Sequence, residues 1–202
     1  PDFTGVLGHN NKTSYSSPKQ VGTDTTWATG RYQGSAGTAM MACVKTDGTL
    51  WTWGQNPVGV LGHNNQTAYS SPRQLPGTTW STVSISTYGS CMALKTDGSI
   101  WGWGDNYYGQ LGLGNQVQYS SPKQIGTGTD WNFIIGGGPY LGRQSAGVKT
   151  DGTLWVWGWQ GQSTAGNLGQ NNITLRSSPI QIPGTWSSAS LGDYAAAYIT
   201  DK

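Results

Sequence analysis

Ala93–Gly112 reads Ala-Leu-Lys-Thr-Asp-Gly-Ser-Ile-Trp-Gly-Trp-Gly-Asp-Asn-Tyr-Tyr-Gly-Gln-Leu-Gly, and its first half recurs along the chain. Lys-Thr-Asp-Gly followed by Leu/Ile-Trp-x-Trp-Gly occupies Lys45–Gly54, Lys95–Gly104 and Lys149–Gly158, and a fourth copy starts at Thr200. Between copies runs a second phrase, Leu-Gly and then Ser-Ser-Pro, at Leu7 and Pro18, Leu61 and Pro72, Leu111 and Pro122, Leu168 and Pro179. A single Trp follows each proline, at Trp27, Trp80, Trp131 and Trp186. The Thr-Asp pairs start at 46, 96, 150 and 200, spacings of 50, 54 and 50 residues. Periods of this length mark propellers, solenoids or arrays. Counted from the Asp-Gly turn, the units are 1–45 (short at its start), 46–95, 96–149 and 150–199, with a further unit opening at 200–202.

Each unit reads as β-structure. Thr-Asp-Gly is turn chemistry, because Asp bonds its own backbone and Gly accepts positive φ. Leu50-Trp51-Thr52-Trp53 alternates with period two, as a strand does, placing Trp51 and Trp53 on one face. A short apolar run precedes every turn (Met41–Val44, Met92–Leu94, Ala146–Val148, Ala195–Ile199), so the pair predicts a hairpin. Trp80–Ile85 and Trp131–Ile135 supply further strands. Ser-Ser-Pro belongs in an extended loop or at a sheet edge, since proline cannot donate to a ladder. All nine carboxylates are Asp, Gly reaches 32 residues, and no sustained 3.6-residue apolar period exists, which predicts almost no helix. The expected fold is all-β: a β-propeller of four blades, one incomplete.

The stretch Ala93–Gly112, with Pro122 and the apolar Trp131–Ile135 downstream, resembles the regulator-of-chromosome-condensation repeat. The resemblance runs over the whole chain. It implies a β-propeller, in this family most often of seven blades. Where the family often carries a His in the strand before the turn, this chain has Met41, Cys91, Ser145 and Ala196 or their neighbours. The charged loops behind the founding member's nucleotide exchange have no counterpart here. The opening Pro1–Gly8 aligns with Gln55–Gly62. The expectation is therefore a segment of a longer ring. A compact four-bladed ring, or one completed by a second copy, is the alternative.

Composition excludes several functions. A net charge of +2 with 10% charged residues lacks the clustered Lys/Arg of a nucleic-acid footprint. Lys19, Arg73 and Lys123 follow Ser-Ser-Pro at equivalent places and read as solvated charges inherited with the repeat. No apolar run reaches membrane-spanning length. Cys43 and Cys91 read as isolated thiols. The repeated Asp47, Asp97, Asp151 and Asp201 each sit in their own turn, and His9 and His63 lie in loops after Leu-Gly. No convergent set suggests a metal, cofactor or catalytic site. Asn11, Asn65 and Asn172 head Asn-x-Thr sequons at matching loop positions, read as a duplicated polar turn.

A binding surface remains. Loops carry most of the variation in a repeat scaffold, and aromatic and Arg side chains are favoured anchors. The candidates are Arg31, Tyr32, Tyr107, Tyr108, Tyr140 and Trp159. The expected function is a non-enzymatic module holding a protein or glycan, at a cell surface or on a phage or virion. Alternatives are a regulatory binder of the exchange-factor, chromatin or enzyme-inhibitor type, and a carbohydrate-binding propeller. Self-association, or continuation into further repeats, is the other partner expectation.

Overall fold

The computed structural model describes residues 4–30, 33–136, 143–159, 168–170, 174–191 and 196–199. Three four-stranded antiparallel sheets follow one another. The first is β1 (Gly34–Ala36), β2 (Met40–Val44), β3 (Leu50–Gly54) and β4 (Tyr69–Gln74). The second is β5 (Trp80–Ile85), β6 (Ser90–Lys95), β7 (Ile100–Gly104) and β8 (Tyr119–Gln124). The third is β9 (Trp131–Gly136), β10 (Gln144–Lys149), β11 (Leu154–Gly158) and β12 (Arg176–Ile182). A hairpin of β13 (Ser188–Leu191) and β14 (Ala196–Ile199) comes last. Strands neighbour in chain order, as in propeller blades, and the described residues contain no helix. The leading strands β5 and β9 start at their lone Trp, whereas β13 starts after Trp186 and β1 only at Gly34, beyond the isolated bridge of Trp27 to Lys45. Units counted from the Asp-Gly turn are therefore offset from blades by half a sheet.

The repeated letters have physical roles. In each hairpin the Asp carboxylate accepts from the backbone and hydroxyl of the residue two along, and that hydroxyl accepts from the next Trp indole. The chains are Asp47–Thr49–Trp51, Asp97–Ser99–Trp101 and Asp151–Thr153–Trp155, with links of 2.6 to 3.0 Å. These bonds hold the three carboxyls below their ordinary range. The turn is wider than a two-residue one: Lys45 donates to Thr49 across three residues, with Gly48 at φ +78°. Three of the four Ser-Ser-Pro copies lie in the outermost strands β4, β8 and β12, where the missing proline donor costs nothing, and Ser16–Pro18 is in no strand.

A tryptophan trio stiffens each blade. Trp27 meets Trp51 and Trp53, Trp80 meets Trp101 and Trp103, and Trp131 meets Trp155 and Trp157, at centroid distances of 6.0 to 6.4 Å. The repeat lysine lies over two rings of each trio: Lys45 over Trp27 and Trp51, Lys95 over Trp80 and Trp101, Lys149 over Trp131 and Trp155. Lys45 also pairs with Asp24, and Lys149 with Asp130 at 3.1 Å.

Blades are joined through the second Trp of each Trp-x-Trp. Trp53 donates to Val6 O, Trp103 to Val60 O and Trp157 to Gln110 O, at 2.7, 2.7 and 2.9 Å. Each acceptor lies just before a Leu-Gly pair of the preceding unit. The glycines Gly8, Gly62 and Gly112 have φ of +75, +81 and +73°, and a Cβ on any of them would press on that same indole. A second tie reaches the next edge strand: Asn10, Asn64 and Gly114 donate backbone N–H to Ser70, Ser120 and Ser177 at 2.7 Å. Leu61, Leu75, Trp103, Leu111, Leu154 and Trp157 are fully buried along this run of sheets.

Candidate functional site

Chain direction sorts the loops onto two ends of the blades. The Asp-Gly turns share one end. The first-to-second and third-to-fourth strand connections share the other, and this end carries the variable sequence. At this end the residue after each Trp-x-Trp-Gly strand bonds back to a fixed place before the second strand. Gln55 N donates to Ala39 O, Asp105 N to Gly89 O, and Trp159 N to Arg143 O, at 2.8 to 2.9 Å. The same backbone position thus presents three different side-chain pairs.

In the third blade that pair is Arg143 and Trp159, and it meets the loop after β7. The Arg143 guanidinium lies 4.3 Å from the Tyr108 ring centre and 5.2 Å from that of Trp159. Tyr108 and Trp159 are 6.0 Å apart, and Tyr107 packs edge-on against Tyr108 at 4.9 Å. Tyr107 is 68% exposed, Tyr108 and Trp159 half-buried.

The scaffold under these rings is fixed. Asp105 accepts from Gln110 at 2.8 Å, from Gln118 at 2.9 Å and from the Tyr107 backbone at 3.3 Å. Gln110 Oε1 accepts from the Tyr108 backbone, while Gln116 donates to Tyr107 O, both at 2.8 Å. Asn106 is fully buried, donating to Asn115 O and Val117 O and accepting from Leu111 N. Gln110 O takes bonds from Ser145 and Trp157 of the next blade, which locks the loop to the strand that Arg143 immediately precedes.

The structure brings Tyr107, Tyr108 and Trp159 into one cluster and adds Arg143. Arg31, Tyr32 and Tyr140 lie outside the described residues. Arg143 belongs to no motif in the sequence. Its signal is the strand register: Gln144 pairs with Gly158, so the residues just beyond them, 143 and 159, face each other.

The other repeated polar residues are committed to packing. His63 Nε2 lies 3.0 Å from Thr52 Oγ1, which donates to Leu61 O, and the ring packs on Tyr69. Burial, helped by the nearby Arg73 charge, lowers the His63 pKa to about 4, so it is neutral at pH 7. Lys19, Arg73 and Lys123 lie over Tyr15, Tyr69 and Tyr119. Asn65 spends its amide on His63 O and Tyr69 and accepts from Thr67 N. Asn11 makes the equivalent turn, and Asn172 lies outside the described residues. Cys43 and Cys91 are free thiols, both pushed up by burial. A groove of about 370 Å³ between Leu113, Trp155 and Pro179 gathers no set of titratable groups. Among the described residues no three His, Cys or Asp side chains could hold a metal ion.

These turns, seams and trios repeat with the fifty-residue period. A profile of the regulator of chromosome condensation (RCC1) repeat matches residues 47–93 and 97–134, and a second RCC1-repeat profile matches 82–110. Residues 47–134, a little under half of the chain, are thus similar to RCC1 repeats. Solved RCC1-like structures share the fold. Human WBSCR16 superposes with a TM-score of 0.72 at 19% identity, over 98% of this chain and 60% of that one. Prp20p from Saccharomyces cerevisiae, described with its binding to Gsp1p and histones, gives 0.66 at 14% identity, over 83% and 43%. The structure of Kap60 bound to yeast RCC1 (Prp20) gives 0.66 at 17% identity, over 82% and 40%. The chain thus spans from 40 to 60% of the length of these similar structures. No curated protein matches it by sequence. The fold is an RCC1-type β-propeller of about fifty-residue blades.

Proposed function

We propose that this RCC1-type propeller is a non-enzymatic interaction module, and that its contact face is the blade end bearing Tyr107, Tyr108, Arg143 and Trp159. The observation that carries the reading is that cluster. Three aromatic rings and a guanidinium, the residue types that dominate interface energetics, are held on a hydrogen-bonded scaffold at the junction of two blades. Rings already fixed lose little side-chain freedom when a partner docks. The likeness to Prp20p, described with Gsp1p and histones, supports a protein as the partner class.

The test places a photo-crosslinking residue at Tyr107 on one preparation and at Thr129, on the opposite end, on another. The protein is then exposed to extract of its natural source. A partner captured from position 107 and not from 129, and lost when Trp159→Ala is added, is expected. Equal capture from both ends, or capture indifferent to Trp159→Ala, refutes the face assignment. We extend the proposal to a cell-surface or virion location on composition alone, from the low charge and the absence of Glu. Recovery of the native chain only in a cytosolic fraction would refute that extension.

A further inference from the structure

We infer that Arg143 is the receptor for a carboxylate of the partner, so that the contact face selects an acidic segment, an Asp or Glu side chain beside an apolar or aromatic residue. This rests on the interaction-module reading and names the chemistry of its ligand. The guanidinium lies over the rings of Tyr108 and Trp159, which are tilted 55° to each other and hold its charge at the junction of the two blades. A ring contact engages the charge of the group and does not by itself use its N–H donors. Among the described residues Arg143 has no ion pair.

The chain segments that adjoin the pair hold no carboxylate. Segments 137–142 and 160–173, which adjoin Arg143 and Trp159, contain neither Asp nor Glu. The described carboxylate in the facing loop, Asp105, is committed to Gln110, Gln118 and the Tyr107 backbone. A guanidinium held over two rings, with no ion pair among the described residues and with exposed Tyr107 beside it, matches a carboxylate with an apolar neighbour on the rings. Lys would serve poorly here, because its point charge has neither the planar fork nor the stacking face.

The test selects random linear twelve-residue peptides on the intact chain, discarding those that also bind Trp159→Ala. Affinities of the survivors are then measured on wild type, Arg143→Gln and Arg143→Lys. Thermal midpoints near wild type confirm that the variants are folded. Expected are peptides with an Asp or Glu whose change to Asn or Gln costs tenfold or more on wild type. That cost should vanish on Arg143→Gln, and Arg143→Lys should recover only part of the affinity. Trp159-dependent peptides without an acid, or with affinities unchanged by Arg143→Gln, overturn the carboxylate inference and leave the contact face standing. If no peptide depends on Trp159, both readings fall.

Discussion

Replacing Gly98 by Ala isolates the seam between blades as a measurable energy. Gly98 closes the second hairpin at φ +79°, and a Cβ there would overlap the Thr129 carbonyl oxygen of the next blade's leading segment. The turn cannot simply retreat, because Gly98 O accepts from Trp131 N at 3.1 Å and Gly98 N donates to Lys95 O at 3.0 Å. Gly126 is the built-in control. It has φ +64°, and a Cβ there would meet nothing within 4 Å. Both substitutions incur the left-handed penalty of about 1–2 kcal/mol for a residue with a Cβ. Only Gly98→Ala must also break or stretch the buried tie to Trp131, a further loss of about 1–3 kcal/mol. The expected costs are about 1 kcal/mol for Gly126→Ala and about 3–4 kcal/mol for Gly98→Ala, the difference being the seam. Gly48→Ala, against Thr78 O, should match Gly98→Ala. Gly152→Ala, whose nearest neighbour is the Thr185 methyl at 2.7 Å, should fall between, since a side chain can rotate away. Urea unfolding followed by tryptophan fluorescence reads all four. Equal costs for Gly98→Ala and Gly126→Ala would refute the close approach of consecutive blades at the turn.

Three further outcomes follow from the same geometry. Trp103→Phe removes the donor to Val60 O from a fully buried site and leaves space behind it, so stability should drop by about 3 kcal/mol in urea titration. His63 is held neutral in the folded chain, with its pKa lowered to about 4 against 6.5 in the unfolded one. The unfolded chain therefore binds the extra proton first, and stability should fall as pH drops from about 6.5 to about 4, by on the order of 1 kcal/mol after solvent screening. His63→Leu, which copies Leu113 at the equivalent place, should flatten that slope in unfolding curves taken across the range. Thr79 occupies the place of Asp130, since Thr96 N donates to Thr79 O as Thr150 N does to Asp130 O. Thr79→Asp should therefore supply Lys95 with the ion pair that Lys149 has, raising stability by up to about 1 kcal/mol at low salt and less at high salt.

Much of this architecture is legible in the sequence because each repeated letter answers a local or nearest-neighbour need. Asp-Gly closes a hairpin, alternation puts Trp101 and Trp103 on one face, and Pro122 excludes a central strand. What the sequence hides is the third dimension. Leu-Gly reads as a loop phrase, yet Gly62 is there because Trp103 of the next unit approaches it. The lysine of Lys-Thr-Asp-Gly reads as one letter of a turn phrase, and the structure sets Lys95 over two indoles. At the proposed contact face, Tyr107, Tyr108 and Trp159 stand out as loop aromatics. Arg143 does not, because only the pairing of Gln144 with Gly158 brings it opposite Trp159. Periodicity reports what blades share, whereas specificity resides where one blade differs from the rest.

The most direct measurement is the affinity of the partner captured at Tyr107 for single alanine variants on the two ends of the propeller. A contact face at the Tyr107 end predicts losses of tenfold or more for Tyr107→Ala, Trp159→Ala and Arg143→Ala, and no change for Thr78→Ala or Thr129→Ala at the Asp-Gly end. The reverse pattern, or losses spread evenly over both ends, would contradict it.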